Sequence, residues 1–390
     1  MLPRQIKSSL LRLAAQYPVV TVTGPRQSGK TTLCRAAFPK KPYVNLEPAD
    51  VRKYANEDPR AFLKQYPAGA VLDEIQRAPG LLSYIQPLVD DAKKEGMFIL
   101  TGSRQFEVME AVTQTLSGRT ALLKLLPFSI PELGKKRASM SADELIYTGF
   151  YPRIYDRKLN PTQMLADYFA TYVERDLKRV VNVHDLNSFE KFVRLCAGRT
   201  GQLLNLQNLA SDTGVSHTTA RAWLSALEAS YIVFLLQPLH ENISKRLIKS
   251  SKLYFYDVGL AAYLIGIENA RQVATHPLRG SLFENLVVME AAKHRLNSGA
   301  MVNFNFFRDS AGNEVDLVVG RGPNMLPLEI KAGETVNDDY FDGLNKFSKL
   351  FPKTAHPGAV IYGGDRLEKR SRFPVYPMAQ TSSLLAKSGF

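Results

Sequence analysis

Short aliphatic runs alternate with helical patterns over the first third of the chain. Val19 to Val22, Tyr43 to Leu46, Ala70 to Leu72, Phe98 to Leu100 and Ala121 to Leu126 are β-branched or aliphatic and read as strands. Between them, Thr31 to Phe38 and Leu81 to Lys94 carry helical spacing. This β-α-β alternation predicts a mostly parallel, doubly wound α/β sheet. It stops at LPFSIPEL, where Pro127 and Pro131 end regular structure, so a domain boundary is expected near residues 133–145.

From about residue 143 to 267 the pattern turns helical, as in MLADYFATYVERDLKRV, with apolar residues three and four apart. The stretch LLNLQNLASDTGVSHTTARAWLSALEASYIVFLL then has the shape of a helix, a turn at Gly214, a second helix and a strand. A helix-turn-helix with a β-wing fits it. The last third combines a helix (Leu282 to Arg295) with strands at Val302 to Phe307, Glu314 to Val319 and Leu326 to Ile330, a further α/β pattern. Three modules are therefore expected, over 1–135, 136–270 and 271–390. A length of 390 residues accommodates two or three domains at roughly 100 to 200 residues each.

Composition narrows the class without naming a ligand. A hydrophobic fraction of 45% with 10% aromatics excludes a disordered or low-complexity chain. Two cysteines, Cys34 and Cys196, exclude a disulfide scaffold and a cysteine-rich zinc site. The opening MLPRQIKSSLLRL has no apolar signal core and no run approaches a membrane span, so a cytoplasmic protein with no membrane contact is expected. The net charge of +13 is spread along the chain and suits weak attraction to a polyanion or simple solubility.

The chemistry is sharpest at Gly24, Pro25, Arg26, Gln27, Ser28, Gly29, Lys30 and Thr31, which match the phosphate-loop pattern G-x-x-x-x-G-K-[ST] between a strand and a helix. Glycines there let backbone N–H groups turn toward phosphate oxygens, and the helix N-terminus adds its dipole. Lys30 is expected on the β- and γ-phosphates, Thr31 on Mg²⁺, with Thr32 adjoining the bound ATP. Ala70 to Glu74 supplies a second element, an apolar strand ending in two carboxylates. Asp73 suits the outer sphere of Mg²⁺ and Glu74 the base that deprotonates water. Ser103, after the strand Phe98 to Leu100, is expected to contact the attacking water or γ-phosphate. Arg119 reads as an arginine finger or as a structural salt-bridge partner.

The motifs GPRQSGKTTL, VLDEIQ, ILTGSRQF, SGRTALLKLLPFS, TYVERDL, YFYDVGL, FENLVVMEAAK, EVDLVV and LEIKAGET run through nearly the whole chain. On these residues it resembles the bacterial and archaeal AAA+ P-loop ATPases that carry a C-terminal domain of formerly unknown function. That resemblance implies a homo-oligomeric ring or part-ring, often a hexamer, with Arg119 reaching a neighbour's nucleotide. Gly149-Phe-Tyr-Pro152 is similar to the Gly-x-x-Pro segment after the ATPase core in related families, which implies that Pro152 packs near the adenine. Arg153 is the candidate for a second sensor arginine.

In the helix-turn-helix, Ser216 is expected to cap a recognition helix that exposes His217, Thr218, Thr219 and Arg221 to DNA. Leu209, Ala210, Val215, Ala222, Leu224 and Leu227 are expected in its core, and Lys245, Arg246, Lys249 and Lys252 on a basic wing. A winged helix used for protein contacts is the other reading. Farther on, Asp316, a short hairpin, then Glu329-x-Lys331, with Glu284 on the preceding helix, is the arrangement of restriction-endonuclease-like PD-(D/E)XK folds. Asp316 and Glu329 are expected to hold Mg²⁺ with Lys331 on the attacking water, or the same side chains serve recognition without cutting. The whole reads as an ATPase that remodels DNA, with a nucleotide-controlled protein switch and an ATP-regulated nuclease as alternatives.

Overall fold

The computed structural model describes residues 2–103, 112, 114–134, 140–174, 185–239 and 250–390. The chain divides into two compact units, one of Met1–Phe128, Ala229–Tyr231 and Leu296–Ala300, the other of Ser129–Glu228, Ile232–Arg295 and Met301–Phe390.

In the first unit, five strands form where the aliphatic runs lie, with ends displaced by one or two residues. They are β1 (Val19–Thr23), β2 (Tyr43–Asn45), β3 (Val71–Asp73), β4 (Phe98–Gly102) and β5 (Thr120–Lys124). All pairings are parallel, in the order β2-β3-β4-β1-β5. Successive side chains point to opposite faces, and in a parallel sheet both faces need cover. Val20, Val22, Val71 and Ile99 pack on one side with Leu10 and Leu33, from the helices Lys7–Ala14 and Lys30–Ala37. Val19, Leu72, Phe98 and Leu100 pack on the other with Leu82 and Ile85 of the helix Leu81–Ala92. Because β4 lies between β1 and β3, the ends of those two strands stand roughly 10 Å apart, with the end of β4 between them.

The second unit begins with the helices Ala142–Thr148, Pro152–Arg157, Pro161–Tyr168 and Leu186–Ala197. The first is opened by a capping box between Ser141 and Glu144. The helix pair Leu206–Thr213 and His217–Ala229 follows, turned by Gly214 at φ 85. Leu209, Ala210, Leu224 and Leu227 are buried as expected, but Ala222 is exposed and Val215 only half-buried. Spacing of three and four along the second helix instead turns Ala220, Trp223 and Ala226 inward, with Trp223 edge-on to Phe189 and Phe192 at 5.2 and 5.5 Å.

A seven-stranded sheet completes this unit. Its strands are β6 (Val233–Pro238), β7 (Lys252–Phe255), β8 (Phe304–Arg308), β9 (Glu314–Arg321), β10 (Asn324–Lys331), β11 (Ala359–Tyr362) and β12 (Val375–Pro377), ordered β12-β11-β10-β9-β8-β6-β7. The β6–β7 hairpin after the helix pair joins this sheet through parallel pairing of Gln237 and Pro238 with Asn305 and Phe306. Residues 136–270 and 271–390 thus contribute strands to one sheet. Phe304, Phe306 and Phe307 are buried in its core.

Candidate functional site

After β1 the chain turns through Gly24 at φ +144, where a Cβ would collide with the Leu125 carbonyl oxygen. Glycine is required there on both counts. Gln27 (φ 60) and Gly29 (φ 92) continue the turn, and Lys30 opens the helix Lys30–Ala37. The Lys30 ammonium is 5% exposed and donates to the Gly24 and Pro25 carbonyl oxygens at 2.9 and 2.8 Å. Burial lowers its pKa to about 8, against the opposing pull of Glu74 and Asp73. Ser28 Oγ is buried with no hydrogen-bond partner among the described residues. From the N-terminal segment, Arg4 donates to the Ser28 and Leu126 carbonyl oxygens, both at 2.6 Å, and so braces the loop against the end of β5.

Asp73 ends β3 and lies under three hydroxyl donors. Thr31 and Tyr43 reach Oδ2 at 2.8 and 2.7 Å, and Thr101 reaches Oδ1. The β3–β4 register pairs Leu72 with Leu100, so Thr101 is the next neighbour of Asp73, and Ser103 follows on the same face of the chain. Glu74 takes a left-handed conformation, φ 59, and its Oε2 accepts from Ser103 Oγ at 3.0 Å and from the Gln76 amide. The loop, Lys30, Thr31, Asp73, Glu74 and Ser103 are therefore brought together. Hydroxyl and carboxylate oxygens at a helix N-terminus form a hard donor set, which fits Mg²⁺ on Thr31 with Asp73 behind it. Thr32 lines an adjoining cleft of about 500 Å³ with Arg35, Phe38, Lys41 and Tyr43.

Arg119 is not part of this cluster. It precedes β5 and its guanidinium grips Asp90 at 2.6 and 2.9 Å. The strands are parallel, so Arg119 lies at the edge where they begin and the phosphate loop at the edge where they end. Five strand residues separate these edges by roughly 17 Å. Pro152 belongs to the second unit, buried at the start of the helix Pro152–Arg157. Gly149 nearby has φ +66, and a Cβ there would collide with Asp257 Oδ1. That carboxylate accepts from Phe150 N at 2.7 Å and caps the helix Val258–Leu264.

On the helix pair, Ser216 Oγ accepts from Thr219 N at 3.0 Å. Thr218 and Arg221 are exposed, His217 and Thr219 half-buried. Lys245, Arg246 and Lys249 lie outside the described residues. Lys252 corrects the expectation of a basic wing, because it is 3% exposed and points inward. Its ammonium stands 2.8 Å from Glu284, 2.5 Å from Glu314 and 3.7 Å from Asp316. Tyr254, two residues on, donates to Glu284 at 2.5 Å.

Glu284, Asp316, Glu329 and Lys331 do converge. Lys331 lies 2.6 Å from Glu329 and 3.9 Å from Asp316, and Asp316 Oδ2 accepts from Ile330 N at 2.8 Å. Burial, reinforced by the Asp316 charge, pushes Glu284 up to about 7 and Glu329 well above the usual carboxylate range. Burial works against charge on Lys252, but Glu284, Asp316 and Glu314 outweigh it and hold its pKa above the ordinary lysine range. Among the described residues, no group of three or more His, Cys, Asp and Glu is disposed to hold a metal ion. No helix of the described residues is long and apolar enough to cross a membrane.

Sequence reasoning missed Arg4, Tyr43, Thr101, Gln76, Lys252 and Tyr254.

Comparison with known proteins gives three matched segments. Residues 16–134 match the family described as AAA domain, 140–271 a domain of unknown function (DUF8612), and 279–381 a domain of unknown function (DUF4143). Among solved structures, the Walker-type ATPase paby2304 of Pyrococcus abyssi is similar at 15% identity and TM-score 0.44, over 67% of this chain and 94% of that one. AMPPCP-bound DnaA from Aquifex aeolicus is similar at 16% identity and TM-score 0.31, over 57% and 85%. The uncharacterized proteins Rv2008c of Mycobacterium tuberculosis and Mb2031c of Mycobacterium bovis are each 30% identical over 340 residues, 85% of this chain and 74% of theirs. The chain belongs to the family of these mycobacterial proteins, and its N-terminal portion is an AAA-type P-loop ATPase domain.

Proposed function

We propose that the chain is a Mg²⁺-dependent ATPase that couples hydrolysis to rearrangement of bound DNA. The observation that carries the ATPase reading is the convergence of Thr31 on Asp73 at 2.8 Å with Ser103 on Glu74 at 3.0 Å, beside a buried Lys30. Lys30 releases the Gly24 and Pro25 carbonyl oxygens and turns to the β- and γ-phosphates, while the loop N–H groups hold their oxygens. Thr31 and Asp73 hold Mg²⁺, which neutralises phosphate charge when bound. Glu74 takes the proton of the attacking water, with Ser103 and Gln76 fixing its carboxylate. Arg119, at the sheet edge away from its own loop, serves a neighbouring copy's γ-phosphate, in keeping with a homo-oligomer.

Exposed Thr218 and Arg221 near the start of their helix support nucleic-acid contact through the middle region. One observation favours a second reading, a nucleotide-controlled switch that binds protein: Lys252 is turned inward, which removes a charge from the wing. Turnover measured with and without duplex, single-stranded and branched DNA tests the first. Lys30→Ala and Glu74→Gln abolish turnover, and DNA affinity falls steeply with salt as phosphate contacts release counterions. Turnover that survives both substitutions refutes the ATPase assignment, and DNA affinity that is absent or independent of salt leaves the switch.

A further inference from the structure

The carboxylate cluster of the second unit faces cations that belong to the chain. Four carboxylates, Glu284, Glu314, Asp316 and Glu329, face Lys252, Lys331 and Arg308, the last 3.2 Å from Glu314. Lys252 has three donors, and the three carboxylates around it lie within 2.5 to 3.7 Å. Both oxygens of Asp316 are engaged, Oδ1 facing Lys252 and Oδ2 taking Ile330 N–H and facing Lys331. Mg²⁺ bound between Asp316 and Glu329 would stand beside two ammonium groups, Lys252 and Lys331, in a largely buried site where like charges repel. The residues as arranged do not fit that ion.

The position of Lys252 is built, not incidental. It lies on β7, paired through Leu236 to β6, and its ammonium is also 5.6 Å from the centre of the Phe306 ring. Tyr254 projects to the same face and fastens Glu284. Glu329 Oε2 is buried with no hydrogen-bond partner among the described residues.

We propose that Lys252 is a resident ammonium standing in for the divalent ion of an endonuclease-like cluster, so that this domain binds no divalent metal there and does not hydrolyse phosphodiesters. This holds whether or not the ATPase reading does. The test counts Mn²⁺ bound per full-length chain by electron paramagnetic resonance. Asp316→Asn in the otherwise native chain leaves the count unchanged. Lys252→Met gains one Mn²⁺, and adding Asp316→Asn to it removes that ion again. Plasmid DNA with the native chain and Mg²⁺ or Mn²⁺ remains uncut. The proposal is overturned if Asp316→Asn lowers the native count by one, if a folded Lys252→Met gains no ion, or if the native chain nicks DNA and Asp316→Asn stops it. Should Lys252→Met fail to fold, the native and Asp316→Asn chains decide alone.

Discussion

The buried ammonium of Lys30 makes the candidate nucleotide site sensitive to mild alkali. Its pKa is lowered to about 8 from 10.5, chiefly by burial. Bound phosphates favour the charged form, so only the protonated fraction of the empty site binds ATP well. At pH 8 half of it is charged and at pH 9 about a tenth, so ATP affinity falls about twofold and then about tenfold relative to pH 6.5. Neighbouring groups do not confuse the limb, since burial pushes Cys34 up to about 12 and Tyr43 also moves upward. Stability without nucleotide moves the other way. The unfolded chain holds the Lys30 proton between pH 8 and 10.5 while the folded chain has lost it, so stability rises across that window. The gain relative to Lys30→Met reaches about 2 kcal/mol by pH 9.5 and about 3 kcal/mol above pH 10.5. Isothermal titration with ATP and urea denaturation, both from pH 6.5 to 9.5 at fixed ionic strength, read the two effects. Lys30→Arg stays charged throughout and loses the affinity limb. An affinity flat to pH 9.5, or a limb that survives in Lys30→Arg, refutes the argument.

Arg119→Ala removes an exposed pair with Asp90 and leaves the melting temperature essentially unchanged, while ATP turnover is lost and ATP binding is kept. Mixing it with Glu74→Gln restores part of the turnover if the arginine acts between copies. Tyr43→Phe removes one of the two donors on Asp73 Oδ2 and lowers the Mg²⁺ concentration needed for half-maximal turnover, read from the Mg²⁺ dependence of phosphate release. Gly149→Ala forces a Cβ into Asp257 at positive φ and destabilises by on the order of 2–4 kcal/mol in urea denaturation.

The first unit was legible because its local patterns and its function coincide. Each strand of the parallel sheet is built around β-branched or aliphatic residues, and the phosphate loop and Asp73-Glu74 fall at strand ends, where an open α/β sheet places its chemistry. What stayed hidden were side chains whose role comes from strand order. Tyr43 meets Asp73 because β2 neighbours β3, and Thr101 meets it because β4 lies between β1 and β3. Arg4 is farther still, reaching Leu126 across 122 positions.

Lys252 shows why charge read along a chain is a poor guide to a buried one. In the sequence it follows Lys245, Arg246 and Lys249 and looks like the end of a basic wing. Two facts set its place, and both are long-range. The parallel pairing of β6 with β8 draws the hairpin into a sheet whose other strands carry Glu314, Asp316 and Glu329, and the helix Arg279–Asn297 brings Glu284 to the face that Lys252 and Tyr254 share. Every residue of β7 is buried, so its lysine requires a counter-charge within the fold. A strand reading KLYF, apolar on alternate positions with Lys and Tyr between, carries the signal that its polar face is also covered. The same four carboxylates would be unstable together without that lysine, since burial already favours the neutral forms of Glu284 and Glu329 and truncating a buried charge strands its partners. Hence Lys252 belongs to the carboxylate cluster and not to a basic wing.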